Sequence, residues 1–358
     1  MIKRKLTKTI NVGRVKIGGS APVSVQSMTK TDTRDVEKTV SQIKSLENMG
    51  CDIVRLAIPD EKAVEAFAEI KKKVRIPLVA DIHFDYRLAT GAIRAGADCI
   101  RINPGNIGGR EKIRLVVNEA KAREIPIRIG INSGSVEKDI LEKYGHPTPE
   151  AMVESVLRHI EIMEDLNFYS LKLSLKSSDV MDTVEAYRII SSKTDYPLHL
   201  GITEAGSSLA GTVKSSIGLG ILLGEGTGDT IRVSLTAPPE EEVLAGYEIL
   251  RTLGLREKAI EIISCPTCGR CEVNLFNLVK EIKAKTNHIN KPFVVAIMGC
   301  IVNGPGEAKE ADLGIACGKG AGVIFRKGEI YKKVKEEDMA SVLLDEIFKE
   351  TGTPLHGI

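Results

Sequence analysis

The sequence predicts an α/β fold, a (β/α)8 TIM barrel followed by a small α+β domain. Three observations carry this: short β-branched runs alternate with longer helical stretches, eight such runs fall before residue 254, and the character of the chain changes at Ser264-Cys265-Pro266. Alternating βα units imply a parallel sheet with crossover helices. Eight of them within about 250 residues imply a closed barrel. An open doubly wound sheet is the alternative, and the even size of the units argues against it. The 358 residues also exceed what one compact core usually holds.

In chain order, Asn11 to Gly19 reads as a short hairpin, because Val15 and Ile17 alternate with Arg14 and Lys16. The strand candidates are Val23–Met28, Ile53–Ile58, Pro77–Ile82, Cys99–Asn103, Ile127–Asn132, Ser170–Leu175, Leu198–Thr203 and Ile231–Thr236. Helical periodicity lies between them, as in Asp35–Met49, Glu61–Lys73, Ala151–Asp165 and Val180–Ser192, and again in Glu240–Leu253. No further strand is expected before the cysteines. Beyond them the pattern predicts a helix from about Asn274 to Lys285, strands at Phe293–Met298, Leu313–Ala316 and Gly322–Phe325, and a last helix near Glu336–Lys349. The domains are placed at 1–258, binding substrate, and 259–358, holding the cysteines, with a linker around Leu255–Glu261.

The strands should be apolar on both faces if helices cover them. They are not. Ile100-Arg101-Ile102-Asn103, Ile127-Arg128-Ile129, Leu171-Lys172-Leu173-Ser174-Leu175-Lys176, Leu198-His199-Leu200 and Ile231-Arg232-Val233-Ser234 all alternate, and Arg55 continues the cationic series. One face of each strand meets helices and the other fills the lumen. A lumen lined with cations needs an anion or carboxylates to offset it. Several arginines point to phosphate, which matches the planar guanidinium fork. Asp81 and His83 join the same stripe, and Lys172 is a candidate buried partner of Asp81. His199 reads equally as a core histidine or a lumen ligand. Glu204, just past the seventh strand, is a proton donor or a charge balancer. Gly105-Asn106-Ile107-Gly108 opens a helix and offers backbone N–H groups to a phosphate. Gly224 to Gly228 precedes the eighth strand and reads as a turn at the opposite end of the barrel.

Cys265-x2-Cys268-x2-Cys271, with Cys300 after a helix and a strand, has the spacing of metal ligands, and either zinc or an iron–sulfur cluster satisfies it. The turn Asn303-Gly304-Pro305-Gly306 is able to return Glu307 toward Cys300. Cys51, Cys99 and Cys317 read as buried apolar residues. The formal net charge of +2 and 4% aromatics argue against nucleic-acid binding, and no apolar run approaches a membrane span or a secretory leader. The expectation is a cytoplasmic enzyme.

Six segments together carry a specific resemblance: Val25-Gln26-Ser27-Met28-Thr29, Ala80-Asp81-Ile82-His83-Phe84, Arg101-Ile102-Asn103-Pro104-Gly105-Asn106, Gly201-Ile202-Thr203-Glu204-Ala205-Gly206, Ser264-Cys265-Pro266-Thr267-Cys268-Gly269-Arg270, and the run from Gly299 to Glu307. Over essentially its full length the chain resembles the bacterial 4-hydroxy-3-methylbut-2-enyl diphosphate synthases of the non-mevalonate isoprenoid pathway. The resemblance implies an iron–sulfur oxidoreductase that opens the ring of 2-C-methyl-D-erythritol 2,4-cyclodiphosphate with two electrons and expels a hydroxyl as water. It implies a [4Fe–4S] cluster on Cys265, Cys268, Cys300 and Glu307, with Cys271 outside the ligand set. It implies a flavodoxin or ferredoxin donor, and a homodimer in which the cluster domain of one subunit caps the barrel of the other. The expected substrate ligands are Arg55, Asp81, His83, Arg101, Asn103, Arg128, Asn132, Lys176, His199, Arg232 and Ser234, with Glu204 and Glu307 catalytic. The alternative is a non-redox phosphate-binding barrel enzyme with a structural zinc tail. A cluster-dependent nucleic-acid regulator is more distant.

Overall fold

The computed structural model describes residues 2–256, 260–271, 273–286, 289, 291–300, 306 and 308–353. The chain packs as two units, Met1–Arg256 and Glu257–Ile358.

The first unit opens with an antiparallel hairpin, β1 (Ile10–Val12) and β2 (Val15–Ile17), turned at Gly13. Gly13 has φ +54, and a Cβ there would stand 2.9 Å from an Asp98 carboxylate oxygen, so both conformation and space require glycine. Eight parallel strands follow: β3 (Ser24–Met28), β4 (Ile53–Ala57), β5 (Leu78–Asp81), β6 (Cys99–Ile102), β7 (Ile127–Asn132), β8 (Leu171–Lys176), β9 (His199–Leu200) and β10 (Thr230–Ile231). Their order is β8-β7-β6-β5-β4-β3-β10-β9. A parallel bridge between Leu173 and Leu198 joins the two ends, so the sheet closes on itself. The last two strands are shorter than the sequence predicts. Arg232 still donates its backbone N–H to Leu200 O at 3.0 Å, but beyond it the chain turns to pin a loop instead, Thr236 N donating to Gly206 O at 2.9 Å.

Helices cover the outer face. Several begin on the side-chain caps that their sequences supply: Asp35 for α1 (Val36–Asn48), Asp60 for α2 (Glu61–Lys73), Asp85 for α3 (Tyr86–Arg94), Thr148 for α7 (Pro149–Asp165) and Asp179 for α8 (Val180–Lys193). Between these lie α4 (Pro104–Ile107), α5 (Arg110–Ala122) and α6 (Lys138–Tyr144), and after α8 come α9 (Ser208–Gly224) and α10 (Pro239–Thr252). The apolar face of each strand packs against them in one continuous core.

The N-terminal hairpin does more than precede the barrel. Ile10, Val12 and Ile17 form a separate apolar cluster with Ile53, Val79 and Cys99, the first inward-facing residues of β4, β5 and β6. The hairpin is therefore a stopper at the N-terminal end of the strands.

The second unit is a five-stranded sheet in the order β11 (Ile260–Ser264), β12 (Phe293–Met298), β13 (Leu313–Gly318), β14 (Ala321–Arg326), β15 (Glu329–Lys335). β11 to β13 run parallel and β13 to β15 antiparallel. α11 (Leu275–Thr286) and α12 (Met339–Thr351) cover one face through Leu275, Ile282, Leu343 and Ile347. β11 corrects the expectation that no strand precedes the cysteines. Its residues are only half-buried or exposed, which is why their pattern is weak. β15 is likewise beyond the sequence reading: it is an exposed edge strand, Glu-Ile-Tyr-Lys-Lys-Val-Lys, whose lysines protect the edge and mask the strand signal.

Candidate active site

The lumen of the first unit carries a carboxylate clasped by cations. Asp81, at the end of β5, is 3% exposed. Arg55 Nε stands 3.5 Å from Oδ2, Arg101 Nη1 3.2 Å from Oδ1, and His83 Nε2 3.6 Å from Oδ2. Register explains the grouping: Ala57 pairs with Asp81, and Asp81 with Arg101, which in turn pairs with Arg128. Burial alone would raise the Asp81 carboxyl; Arg55, His83 and Arg101 outweigh it and hold the group well below the ordinary carboxylate range. Lys172 is not the partner of Asp81 that the sequence suggested. Its strand, β8, stands three places from β5 in the barrel, and Arg55 and Arg101 take the carboxylate instead.

The remaining cations are held apart. Arg128 Nη1 donates to Gln26 Oε1 at 3.0 Å. Arg55 leans on the Met28 sulfur. Arg101 Nη2 donates to Gly130 O at 3.2 Å. Lys176 is buried and lies against Gly201, whose Cβ, if present, would be 2.8 Å from Nζ. Burial, then the Arg128 and Arg55 charges, lower the Lys176 amine well below its usual value. Burial, followed by Arg101, lowers Arg128 to about 10. Arg232 is tied from behind by Glu242, which is 1% exposed, at 3.4 Å. Glu242 also accepts from Ser27 Oγ at 3.0 Å and Leu235 N at 3.1 Å, and it pairs with Lys30 at 3.1 Å.

Six cationic side chains, Arg55, Arg101, Arg128, Lys172, Lys176 and Arg232, thus share one lumen with Asp81, and Glu242 reaches Arg232 from behind. Like charges so buried cost free energy that an incoming anion recovers. The residues pointing to the C-terminal ends of the strands, where barrel enzymes bind substrate, are Arg55, Asp81, Arg101, Asn132, Lys176, Arg232 and Ser234. Asn132 and Ser234 are half-buried there, and His83 is 55% exposed beside Phe84 at the rim. Asn103 is buried and already engaged: its oxygen accepts from Gly105 N at 3.1 Å and its amide donates to Ser135 O at 3.3 Å. This corrects the expectation that the run Gly105-Asn106-Ile107-Gly108 offers its backbone N–H groups to a phosphate: those of Gly105, Asn106 and Ile107 are taken by Asn103, which caps the single turn of α4.

Glu204 is exposed and has φ +51, a left-handed conformation rare for glutamate. The flanking chain imposes it. Thr203 N donates to Ser177 O at 3.2 Å, Gly206 O is held by Thr236, and Ile202 and Ala205 are buried. Strain kept by such clamps is characteristic of functional loops.

In the second unit, β11 and β12 are parallel neighbours with Ser264 opposite Ile297, so the loops that leave their C-terminal ends start side by side. Those loops carry Cys265 and Cys300. Gly299 N donates to Cys265 Sγ at 3.2 Å. A Cβ on Gly299 would stand 2.7 Å from Cys271 Sγ and 3.4 Å from Cys265 Sγ, so glycine is required for both sulfurs to approach. Thr267 has φ +64, unusual for a β-branched residue, in the tight turn between Cys265 and Cys268. Cys268 is exposed and Cys300 half-buried, while Cys51, Cys99 and Cys317 are buried. Among the described residues, no three His, Cys, Asp or Glu side chains converge on one point. Glu307 lies outside the described residues.

Sequence reasoning missed Glu242, Gln26 and Met28. A signal for Glu242 was present: it falls in the apolar phase of α10 with Val243, Gly246, Ile249 and Leu250. An acidic residue in that phase is buried and must have partners.

Family comparisons agree along the whole chain. Residues 7–247 match the GcpE TIM-barrel domain and residues 261–349 the GcpE protein C-terminal domain. The 4-hydroxy-3-methylbut-2-en-1-yl diphosphate synthase (flavodoxin) of Thermodesulfovibrio yellowstonii is 62% identical over 98% of this chain and 100% of its own length. The enzyme of the same name from Caldanaerobacter subterraneus subsp. tengcongensis is also 62% identical, over 98% and 99%, and that of Geobacter sulfurreducens is 56% identical, over 96% and 97%. By both domains and by full-length identity, the chain belongs to the GcpE family of 4-hydroxy-3-methylbut-2-en-1-yl diphosphate synthases.

Proposed function

We propose that the chain reductively opens 2-C-methyl-D-erythritol 2,4-cyclodiphosphate to 4-hydroxy-3-methylbut-2-enyl diphosphate. The observation that carries the reading is the excess of buried cations at the barrel mouth, grouped about the single carboxylate Asp81. Arg55, Arg101, Arg128, Lys176 and Arg232 hold the two phosphates, with Asn132 and Ser234 as neutral donors beside them. Asp81 orients Arg55 and Arg101 rather than meeting the substrate's charge. Asn103 shapes the wall through the α4 turn. His83 stands at the rim over the carbon skeleton, and His199 lies beneath the phosphates. In the reaction one ring C–O bond breaks, two electrons enter the carbon skeleton, and a hydroxyl leaves as water. Glu204, held out from its loop, gives that hydroxyl its proton, because free hydroxide leaves poorly.

A [4Fe–4S] cluster bound by Cys265, Cys268, Cys300 and Glu307 would supply the electrons. The donor set fits such a group: soft thiols on two adjacent loops, a backbone N–H aimed at one sulfur, and a glycine that makes room for the sulfurs. The carboxylate expected at Glu307 binds iron less tightly than a thiolate. The electron donor is a flavodoxin, as the names of the relatives specify, or a ferredoxin. The working state is a cytoplasmic homodimer; among the described residues no helix is long and apolar enough to cross a membrane.

The test is turnover of the cyclodiphosphate by protein purified without oxygen and supplied with dithionite. Product and one water per two electrons are expected, with about four irons and four sulfides per chain. Zinc without sulfide, or no turnover by cluster-loaded protein, refutes the reading. Glu204→Gln should assemble the cluster normally and lose turnover; unchanged turnover removes Glu204 from the chemistry.

A further inference from the structure

The lumen has a second polar layer below the phosphate ring. Lys172 and His199 are fully buried and Gln26 is 1% exposed. Lys172 Nζ, Gln26 Nε2, Arg128 Nε and both ring nitrogens of His199 have no hydrogen-bond partner among the described residues. Arg128 links these residues. Arg128 pairs in register with Lys172, Arg128 Nη1 donates to Gln26 Oε1 at 3.0 Å, and the charges of Arg128 and Lys172 both bear on His199. Because the Gln26 oxygen is taken by Arg128, the amide offers only N–H to the rest of the layer. The nearby hydroxyls are engaged, Ser24 Oγ donating to Thr230 Oγ1 at 2.9 Å and Ser174 Oγ facing Ile129 O at 3.5 Å. Underneath, the hairpin cluster of Ile10, Val12, Ile17, Ile53 and Val79 seals the layer.

A buried layer whose unpaired groups are mainly donors lacks an acceptor. Burial lowers the Lys172 amine to about 8, so it keeps its proton at neutral pH, whereas burial and then Arg128 hold His199 neutral. The six cations of the lumen face Asp81, with Glu242 behind Arg232; Asp229, whose charge also bears on Lys172, is already paired with Arg4. A cyclic diphosphate, with one negative charge on each phosphate, leaves a positive excess. Unpaired buried donors and unbalanced buried charge are each costly, and one small anion relieves both. We infer that Lys172, Gln26 and His199, roofed by Arg128, form a structural site for a monovalent halide-like anion, distinct from the substrate phosphates above. The distinction rests on the proposed placing of the diphosphate in the upper ring.

The test is anomalous diffraction from crystals of the full chain soaked in sodium bromide, with and without inorganic pyrophosphate. The expected result is a bromide peak within hydrogen-bonding reach of Lys172 Nζ and Gln26 Nε2 in both soaks, with pyrophosphate displacing bromide only from the upper ring. A water, or no density, in the lower layer overturns the inference. Pyrophosphate oxygens filling the lower layer also overturn it, while leaving the diphosphate reading intact. Bromide retained below with pyrophosphate bound outside the lumen supports the anion site and refutes the placing of the diphosphate. In solution, chloride should raise the melting temperature of the wild type over gluconate at equal ionic strength, and Lys172→Gln should abolish that difference. If this variant does not fold, the wild-type bromide map decides.

Discussion

Replacing Asp81 by Asn tests the electrostatic account of the barrel mouth most directly. The substitution keeps shape and an acceptor oxygen but removes the charge between Arg55 at 3.5 Å and Arg101 at 3.2 Å. The carboxylate is 3% exposed and the two guanidinium groups are nearly as buried, so solvent screens little of the loss. Removing one partner of a buried pair costs about 3–5 kcal/mol, and a retained hydrogen bond keeps the expected loss near ~3 kcal/mol. For a unit of this size that corresponds to a fall of about 6–12 °C in the barrel's melting temperature. The sign with pH also follows. A carboxyl held well below its unfolded value of about 3.9 contributes stability that is present above that value and is lost as pH falls through the folded one. The gap between wild type and Asp81→Asn should therefore be constant above about pH 5 and close at lower pH. Inorganic pyrophosphate should recover more melting temperature in the variant than in the wild type, since its lumen carries more uncompensated charge. Calorimetry across pH, with and without pyrophosphate, reads all three. A variant that melts within about 2 °C of the wild type at pH 7, less than ~1 kcal/mol for a unit of this size, would refute the reasoning.

Three further outcomes are expected. Glu242→Ala leaves Arg232 and Lys30 without their carboxylate and should cost about 3 kcal/mol, the low end for a buried pair because Lys30 is partly exposed; chemical denaturation measures it, and an unchanged midpoint would show that Glu242 is incidental. Gly201→Ala places a Cβ 2.7 Å from Arg232 O and 2.8 Å from Lys176 Nζ, so pyrophosphate affinity by calorimetric titration should fall about tenfold, ~1.4 kcal/mol, and equal affinity would remove Lys176 from the phosphate site. Cys271→Ser should retain iron and sulfide under anaerobic purification while Cys265→Ser loses both; loss in Cys271→Ser would mean that the ligand set is misassigned.

Much of this was legible because the barrel inverts an ordinary rule. Parallel strands covered by helices normally read as apolar runs. Here Arg101, Arg128, Lys172 and Arg232 interrupt β6, β7, β8 and the continuation of β10 at alternate positions, and that alternation identified the polar interior of a barrel already indicated by the eight strand and helix runs. What escaped is what alternation does not encode. Glu242 acts on the lumen from a helix, through the gap between β3 and the chain after β10, and only its place in the apolar phase of α10 gives it away. The division of the lumen into two layers depends on register between strands distant in sequence, as with Arg128 and Gln26. The Gly105 N–H was misjudged because Asn103 was taken for a substrate ligand alone, when its side chain also caps the following turn.

The hairpin at the start of the chain has a consequence for traffic. With Ile10, Val12 and Ile17 wedged against Ile53, Val79 and Cys99, the barrel is a well rather than a tunnel. Whatever enters by the rim must leave by it, so product cannot depart while new substrate descends. Each turnover waits on the vacating of a single opening, and the diphosphate product should inhibit competitively with the cyclodiphosphate.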